Sequence, residues 1–128
     1  MRRNAISLPA LTDEAGGAQV ITHSMSERLV GLGFRYWMLG RKSGDISAWE
    51  RTWSLYTGAV GLCGAREAVG ALSAWVCSLD RAAARPIELA PLHCTDLCHD
   101  ECIAVSMIAA CQHNTCPAMR ACAFALVC

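Results

Sequence analysis

The chain has 128 residues, of which 54 % are hydrophobic and 17 % charged, and eleven basic and eleven acidic residues give it zero formal net charge. That length predicts a single domain with its own core, and the balanced charge argues against non-specific binding to nucleic acid or to an anionic membrane surface. No apolar run reaches the roughly 20 residues of a spanning helix, and the N-terminal apolar stretch is interrupted by Pro9 before it could act as an export signal. We therefore expect a cytoplasmic protein that contacts no membrane, and we do not expect nucleic acid to be its binding partner.

The first predicted boundary separates a lead-in from a helical domain. Residues 1–23 hold a proline, a Gly-Gly pair and little hydrophobic periodicity, so we expect them to be mobile, with His23 facing solvent. Residues 24–128 form the predicted helical domain. Ser24 and Glu27 match a capping box, which predicts a first helix running to about Arg41 with Gly44 as its stop.

The second predicted helix begins at another capping box, formed by Ser47 and Glu50. Its predicted buried face consists of Trp49, Trp53, Tyr56 and Val60. A run of glycines follows and predicts a break at Gly61–Gly64, since each glycine costs a helix about 1 kcal/mol relative to alanine. Basic residues near the first turn are expected to form a solvated face: Arg35, Arg41, Lys42 and Arg51.

The third predicted helix carries the most regular apolar stripe in the chain. Its members are Ala65, Ala68, Val69, Leu72, Trp75, Val76, Leu79 and Ala83. Pro86 is expected to end it. Residues 24–85 are thus predicted to be a three-helix, Trp-rich part, in which Cys63 and Cys77 are ordinary core residues.

Residues 93–128 are predicted to fold as a Cys-rich helical hairpin. Thr95 or Asp96 would cap a fourth helix running to about Cys111, and Thr115 would cap a fifth, after a polar turn. The fifth helix is apolar almost all round, so it is expected to be buried or self-associated. Without any strand pattern, the sequence predicts an all-α fold: a single small bundle of about five helices.

Seven of the nine cysteines fall between Cys94 and Cys128, and their odd number together with the missing export signal favours reduced thiols. A continuous helix would hold Cys102 and Cys111 about 13 Å apart, whereas thiolates on one metal lie about 4 Å apart. Folding the hairpin back resolves this difficulty and predicts one site from Cys98, Cys102 and Cys122, completed by Cys94 or Cys128. A second group at the turn would comprise Cys111, His113 and Cys116.

Several cofactors suit such a thiolate set, namely an iron–sulfur cluster, structural zinc or Cu(I). The sequence has neither the paired C-x2-C knuckle of zinc sites nor a standard ferredoxin spacing. The favoured hypothesis is a non-enzymatic intracellular domain that binds a metal or an iron–sulfur cluster, acting as a redox- or metal-responsive regulator. The alternative is a helical protein-interaction or dimerisation module whose cysteines are ordinary core residues. Its homo-oligomer or protein partner would cover the fifth helix.

Overall fold

The computed structural model describes residues 23–128, which form four α-helices and no strand. These are α1 (Met25–Ser43), α2 (Ile46–Ala82), α3 (His99–Gln112) and α4 (Cys116–Val127). The all-helical prediction is confirmed, but the count of five helices is wrong. The lead-in predicted for residues 1–23 lies outside the described residues except for His23.

Helix α1 begins where the capping box predicts. The Ser24 hydroxyl accepts a hydrogen bond from the Glu27 amide at 3.1 Å, and the Glu27 carboxylate accepts one from the Ser24 amide at 2.9 Å. The helix ends at Gly44, which adopts a left-handed conformation with φ 75°. The predicted stop at this glycine is correct, and α1 extends slightly beyond the expected end at Arg41.

Helix α2 accounts for the wrong helix count, because it joins the predicted second and third helices. The predicted break is present as a kink at Gly61, whose φ of 81° and ψ of 171° are open to glycine but strained for other residues. The chain resumes the helix at once instead of forming a loop. The helix also begins earlier than expected, since the Asp45 carboxylate caps it by accepting the Ser47 amide at 3.0 Å.

The first half of α2 packs on α1 through a face that only partly matches the predicted one, since Tyr56 is buried as expected. Its buried residues are Ala48, Thr52 and Tyr56. Trp53 and Val60 were expected in the core, yet they are 37 % and 50 % exposed. Two glycines of α1 leave room at this contact, Gly33 for the Tyr56 ring and Gly40 for the Trp49 ring.

The second half of α2 supplies the core as predicted. Its stripe is buried at Ala65, Val69, Leu72, Val76 and Leu79. The same cluster takes Phe34 and Met38 from α1 and Leu126 from α4. Phe34 lies against Trp75 with ring centroids 5.3 Å apart. The core therefore joins α2 to α1 and to the C-terminal helix.

Helices α3 and α4 form the predicted hairpin. The residue that caps α3 is Cys98, not Thr95 or Asp96, and the Glu101 carboxylate accepts its amide at 2.9 Å. Thr115 caps α4 as predicted, and its hydroxyl donates to the Ala110 carbonyl at 3.0 Å, closing the turn. Within the chain this last helix is largely uncovered, because Leu126 is its one buried residue, and the alternative expectation of self-association stays a prediction.

Across residues 23–128, none of the helices has the combination of length and apolarity needed to cross a membrane.

Candidate functional site

Three basic residues of α1 hold the connector between α2 and α3 (residues 83–98). Arg28, Arg35 and Lys42 are seven residues apart, about two helical turns, so they lie along one side of α1. They donate to the carbonyls of Thr95 at 2.9 Å, Cys94 at 2.7 Å and Ile87 at 3.1 Å, respectively. The connector therefore runs antiparallel to α1. Arg35 is fully buried, so its predicted place on a solvated face is wrong.

A buried ion pair joins Arg35 to Glu101 at the first turn of α3. Arg35 Nε and Nη2 donate to the two carboxylate oxygens at 2.8 and 2.9 Å, and both side chains are 0 % exposed. The carboxylate also accepts the backbone amides of Ala90 at 3.0 Å and Cys98 at 2.9 Å. Glu101 thus holds the second half of the connector against α1, at Ala90 and at Cys98.

A second ion pair ties the start of the connector to α3. Arg85 donates to the two carboxylate oxygens of Asp100 at 2.8 and 2.9 Å, and to the Ala125 carbonyl of α4 at 2.8 Å. The Glu88 amide donates to the same carboxylate at 2.8 Å. The hydrogen bonds from Arg85 outweigh burial and hold the pKa of Asp100 below its usual value. These contacts position the segment that carries Cys94 and Cys98.

The predicted thiolates divide by exposure. Cys94, Cys98, Cys102 and Cys122 are half-buried, whereas Cys111, Cys116 and Cys128 are exposed. Within residues 23–128, no three side chains of His, Cys, Asp or Glu are grouped so as to hold a metal ion. The metal or iron–sulfur sites predicted for these cysteines stay predictions.

The expectation that Cys63 and Cys77 are core residues is wrong for Cys63. Cys63 is exposed and Cys77 is half-buried. Cys63 lies just after the kink at Gly61, where the apolar neighbours Val60 and Leu62 are also exposed. The part of α2 around this kink, Val60 to Cys63, therefore lies outside the core.

The turn between α3 and α4 partly matches the predicted second group. Cys111 and Cys116 border one small hollow of about 150 Å³, together with Ala110, Asn114, Thr115 and Met119. His113 does not line this hollow. Cys111 and Cys116 therefore lie at the same hollow, whereas His113, which was expected to join them, does not line it.

One constellation was missed by sequence reasoning, and it contains His23, Glu27 and Cys102. His23 was expected to face solvent, yet its side chain is only 7 % exposed and its Nε2 lies 3.9 Å from Cys102 Sγ. On the other side of the ring, Nδ1 lies 3.5 Å from Glu27 Oε1. Burial raises the pKa of the Cys102 thiol, and the negative charges of Cys98, Glu101 and Glu27 raise it further.

Part of this site could have been found in the sequence, because the capping box of Ser24 and Glu27 places Glu27 about one helical turn from His23. The partner Cys102 is 79 residues away along the chain. No local pattern could have paired them.

The outer surface of α4 is the other unusual feature. Apart from Arg120 the helix carries no charge, and Phe124 is 69 % exposed. Ala118, Ala121 and Ala125 are exposed on the same side as Phe124. We call these four residues the outer face of α4.

No protein-family model, curated protein or solved structure matches this chain.

Proposed function

We propose that this chain is a helical protein-interaction module whose outer face of α4 pairs with the same face of a second copy. The observation that carries the proposal is the 69 % exposure of Phe124 on an apolar helix face. Monomeric proteins rarely leave a contiguous apolar face uncovered, and such faces mark interaction sites. The opposite side of α4, at Leu126, is already used for the intramolecular core.

Charge favours a second copy as the partner. The one charged residue of α4, Arg120, lies at the edge of the outer face, so the face offers no charge pattern to an oppositely charged protein. The formal net charge of the chain is zero, so two copies meet without net repulsion. An apolar face that is alike on both partners suits the two-fold symmetry of most homodimers.

The side chains on the face also suit helix pairing. The three alanines leave room for a second helix to approach closely, and Phe124 is the one large side chain among them. In a two-fold arrangement, each phenylalanine packs against the alanines of the other copy. This arrangement buries the exposed Phe124 ring.

The size of the face sets the expected affinity. The 12 residues of α4 make a helix about 18 Å long, which places the interface at the small end, below about 1,200 Å² of total buried surface. We therefore expect a monomer–dimer equilibrium and not a permanent dimer.

Sedimentation velocity over a concentration series from about 1 µM to about 1 mM tests the proposal. The wild-type sedimentation coefficient should rise with concentration, and Phe124→Ser should abolish the rise. Leu62→Ser is the matched control, because Leu62 is 64 % exposed but lies beside the kink of α2. A wild-type chain that stays monomeric throughout would overturn the proposal, as would a Leu62→Ser variant that dissociates like Phe124→Ser.

A further inference from the structure

We propose that His23 and Cys102 form a binding site for one Cu(I) ion, where the start of α1 meets α3. This site is independent of the outer face of α4. It differs from the thiolate set predicted from the sequence in using a histidine that precedes the first helix.

The separation of the two donor atoms fits one bridging ion. Cys102 Sγ and His23 Nε2 are 3.9 Å apart. With metal–sulfur and metal–nitrogen bonds of about 2.3 and 2.0 Å, one ion between them requires about 3.5 Å at a tetrahedral angle and about 4.3 Å in a straight line. The observed distance lies between these limits, so an ion fits with side-chain movements of a few tenths of an ångström.

The imidazole presents Nε2 to Cys102 and Nδ1 to the Glu27 carboxylate. The His23 side chain is 7 % exposed, and its Nδ1 has no hydrogen-bond partner among residues 23–128. The Glu27 carboxylate lies 3.5 Å from Nδ1, just outside hydrogen-bonding geometry. Ligating histidines typically carry their proton on the nitrogen that faces such a carboxylate, which leaves the other nitrogen free for the metal. Here that other nitrogen is Nε2, the one facing Cys102.

The balance of charge suits a monovalent cation. On binding, the Cys102 thiol releases its proton to solvent, and the sulfur lone pair forms the bond to Cu(I). The resulting thiolate–Cu(I) unit carries no net charge and therefore adds none to a half-buried position. Glu27, one helical turn from His23, contributes a negative charge that favours a cation nearby.

The number of ligands available at this site favours Cu(I) over zinc. Structural zinc takes four ligands, and the described residues, 23–128, contain no group of even three suitable side chains. Cu(I) favours soft sulfur donors and accepts two ligands, so one thiolate and one imidazole satisfy it. The structure provides one of each.

Because the chain has nine cysteines, the test must identify the thiol that binds first. One equivalent of Cu(I) is added anaerobically to the full chain, which is then alkylated briefly and analysed by mass spectrometry. The first equivalent should protect Cys102 ahead of the exposed thiols Cys111 and Cys116. Protection of those two ahead of Cys102 would overturn the proposal.

Two histidine variants make the test specific. His23→Gln should weaken Cu(I) binding at Cys102 by at least about tenfold. His113→Gln, at an exposed histidine of the α3–α4 turn, should leave it unchanged. Equal protection of Cys102 in the wild type and in His23→Gln would contradict the site.

A measurement on the unmodified chain complements the variants. In a ¹H–¹⁵N spectrum that reports histidine side chains, one equivalent of Cu(I) should shift the Nε2 resonance of His23. An Nε2 resonance of His23 that does not move would exclude this nitrogen as a ligand.

Discussion

Replacing Arg35 by methionine tests whether the buried ion pair holds the connector in place. Arg35 donates at 2.8 and 2.9 Å to Glu101, and also to the carbonyls of Pro91, Cys94 and Asp96 at 3.3, 2.7 and 2.8 Å. In Arg35→Met the Glu101 carboxylate keeps its two backbone amides but loses its counter-charge in a fully buried position.

Breaking a buried pair from one side costs about 3–5 kcal/mol, because an uncompensated charge is left behind. Domains of this size have total stabilities of about 5–15 kcal/mol. We therefore expect the midpoint of urea unfolding, followed by circular dichroism, to fall by a large fraction of its wild-type value.

Removing both charges should recover much of the loss. In Arg35→Met/Glu101→Leu no charge stays buried, so the double variant should be more stable than Arg35→Met alone. As a control, Arg41→Met removes a pair with Asp80 whose side chains are 36 % and 29 % exposed, and it should have a much smaller effect. A loss below about 1 kcal/mol in Arg35→Met would refute the reasoning, as would a double variant no more stable than the single one.

Three further predictions concern packing, pH and thiol reactivity. Gly33→Ala should destabilise the fold by about 1–3 kcal/mol in urea unfolding, because a β-carbon there collides with the Tyr56 hydroxyl. Gly70 has open space around it, so Gly70→Ala should stabilise the fold by about 0.5–1 kcal/mol. A Gly33→Ala variant more stable than Gly70→Ala would contradict the packing. The pKa of Asp100 is lowered in the fold, so the stability it contributes is present above the unfolded pKa and is lost as the pH falls through the folded pKa. Urea unfolding from about pH 7 to about pH 3 should therefore show a shallower acid-side decline in Asp100→Asn than in the wild type, and equal slopes would argue against the ion pair. Burial raises the pKa of the half-buried Cys122 thiol, so timed alkylation at neutral pH should modify the exposed Cys116 first, and the reverse order would place Cys122 in solvent.

Local signals predicted the parts of the fold that depend on neighbouring residues. The capping box of Ser24 and Glu27 marked the start of α1, and the apolar stripe from Ala65 to Leu79 marked the buried face of α2. Glycine content predicted a break near Gly61. Whether the chain forms a loop there or the helix continues with a kink depends on how the two flanking helical segments pack. That tertiary information is not present in the local sequence.

The main polar contacts lay beyond the reach of local patterns for the same reason. Arg35 was placed in solvent because its partner Glu101 is 66 residues away. The separation between His23 and Cys102 is 79 residues. Asp100 and Glu101 lie in the first turn of α3, near its positive end, but their two arginine partners come from other elements.

Exposure of α4 also could not be settled by composition. An apolar helix is expected to be covered, but its composition does not say whether the same chain or another chain covers it. In the folded chain, Leu126 faces the core, whereas Phe124 points away from it.

The most direct test of pairing through α4 is an isotope-filtered NMR experiment on an equal mixture of labelled and unlabelled chains at high concentration. Pairing predicts cross-peaks between copies that join the Phe124 ring to the methyl groups of Ala121 and Ala125. A spectrum without any cross-peak between copies, or with cross-peaks arising from Val60 and Leu62 instead, would contradict the proposed function.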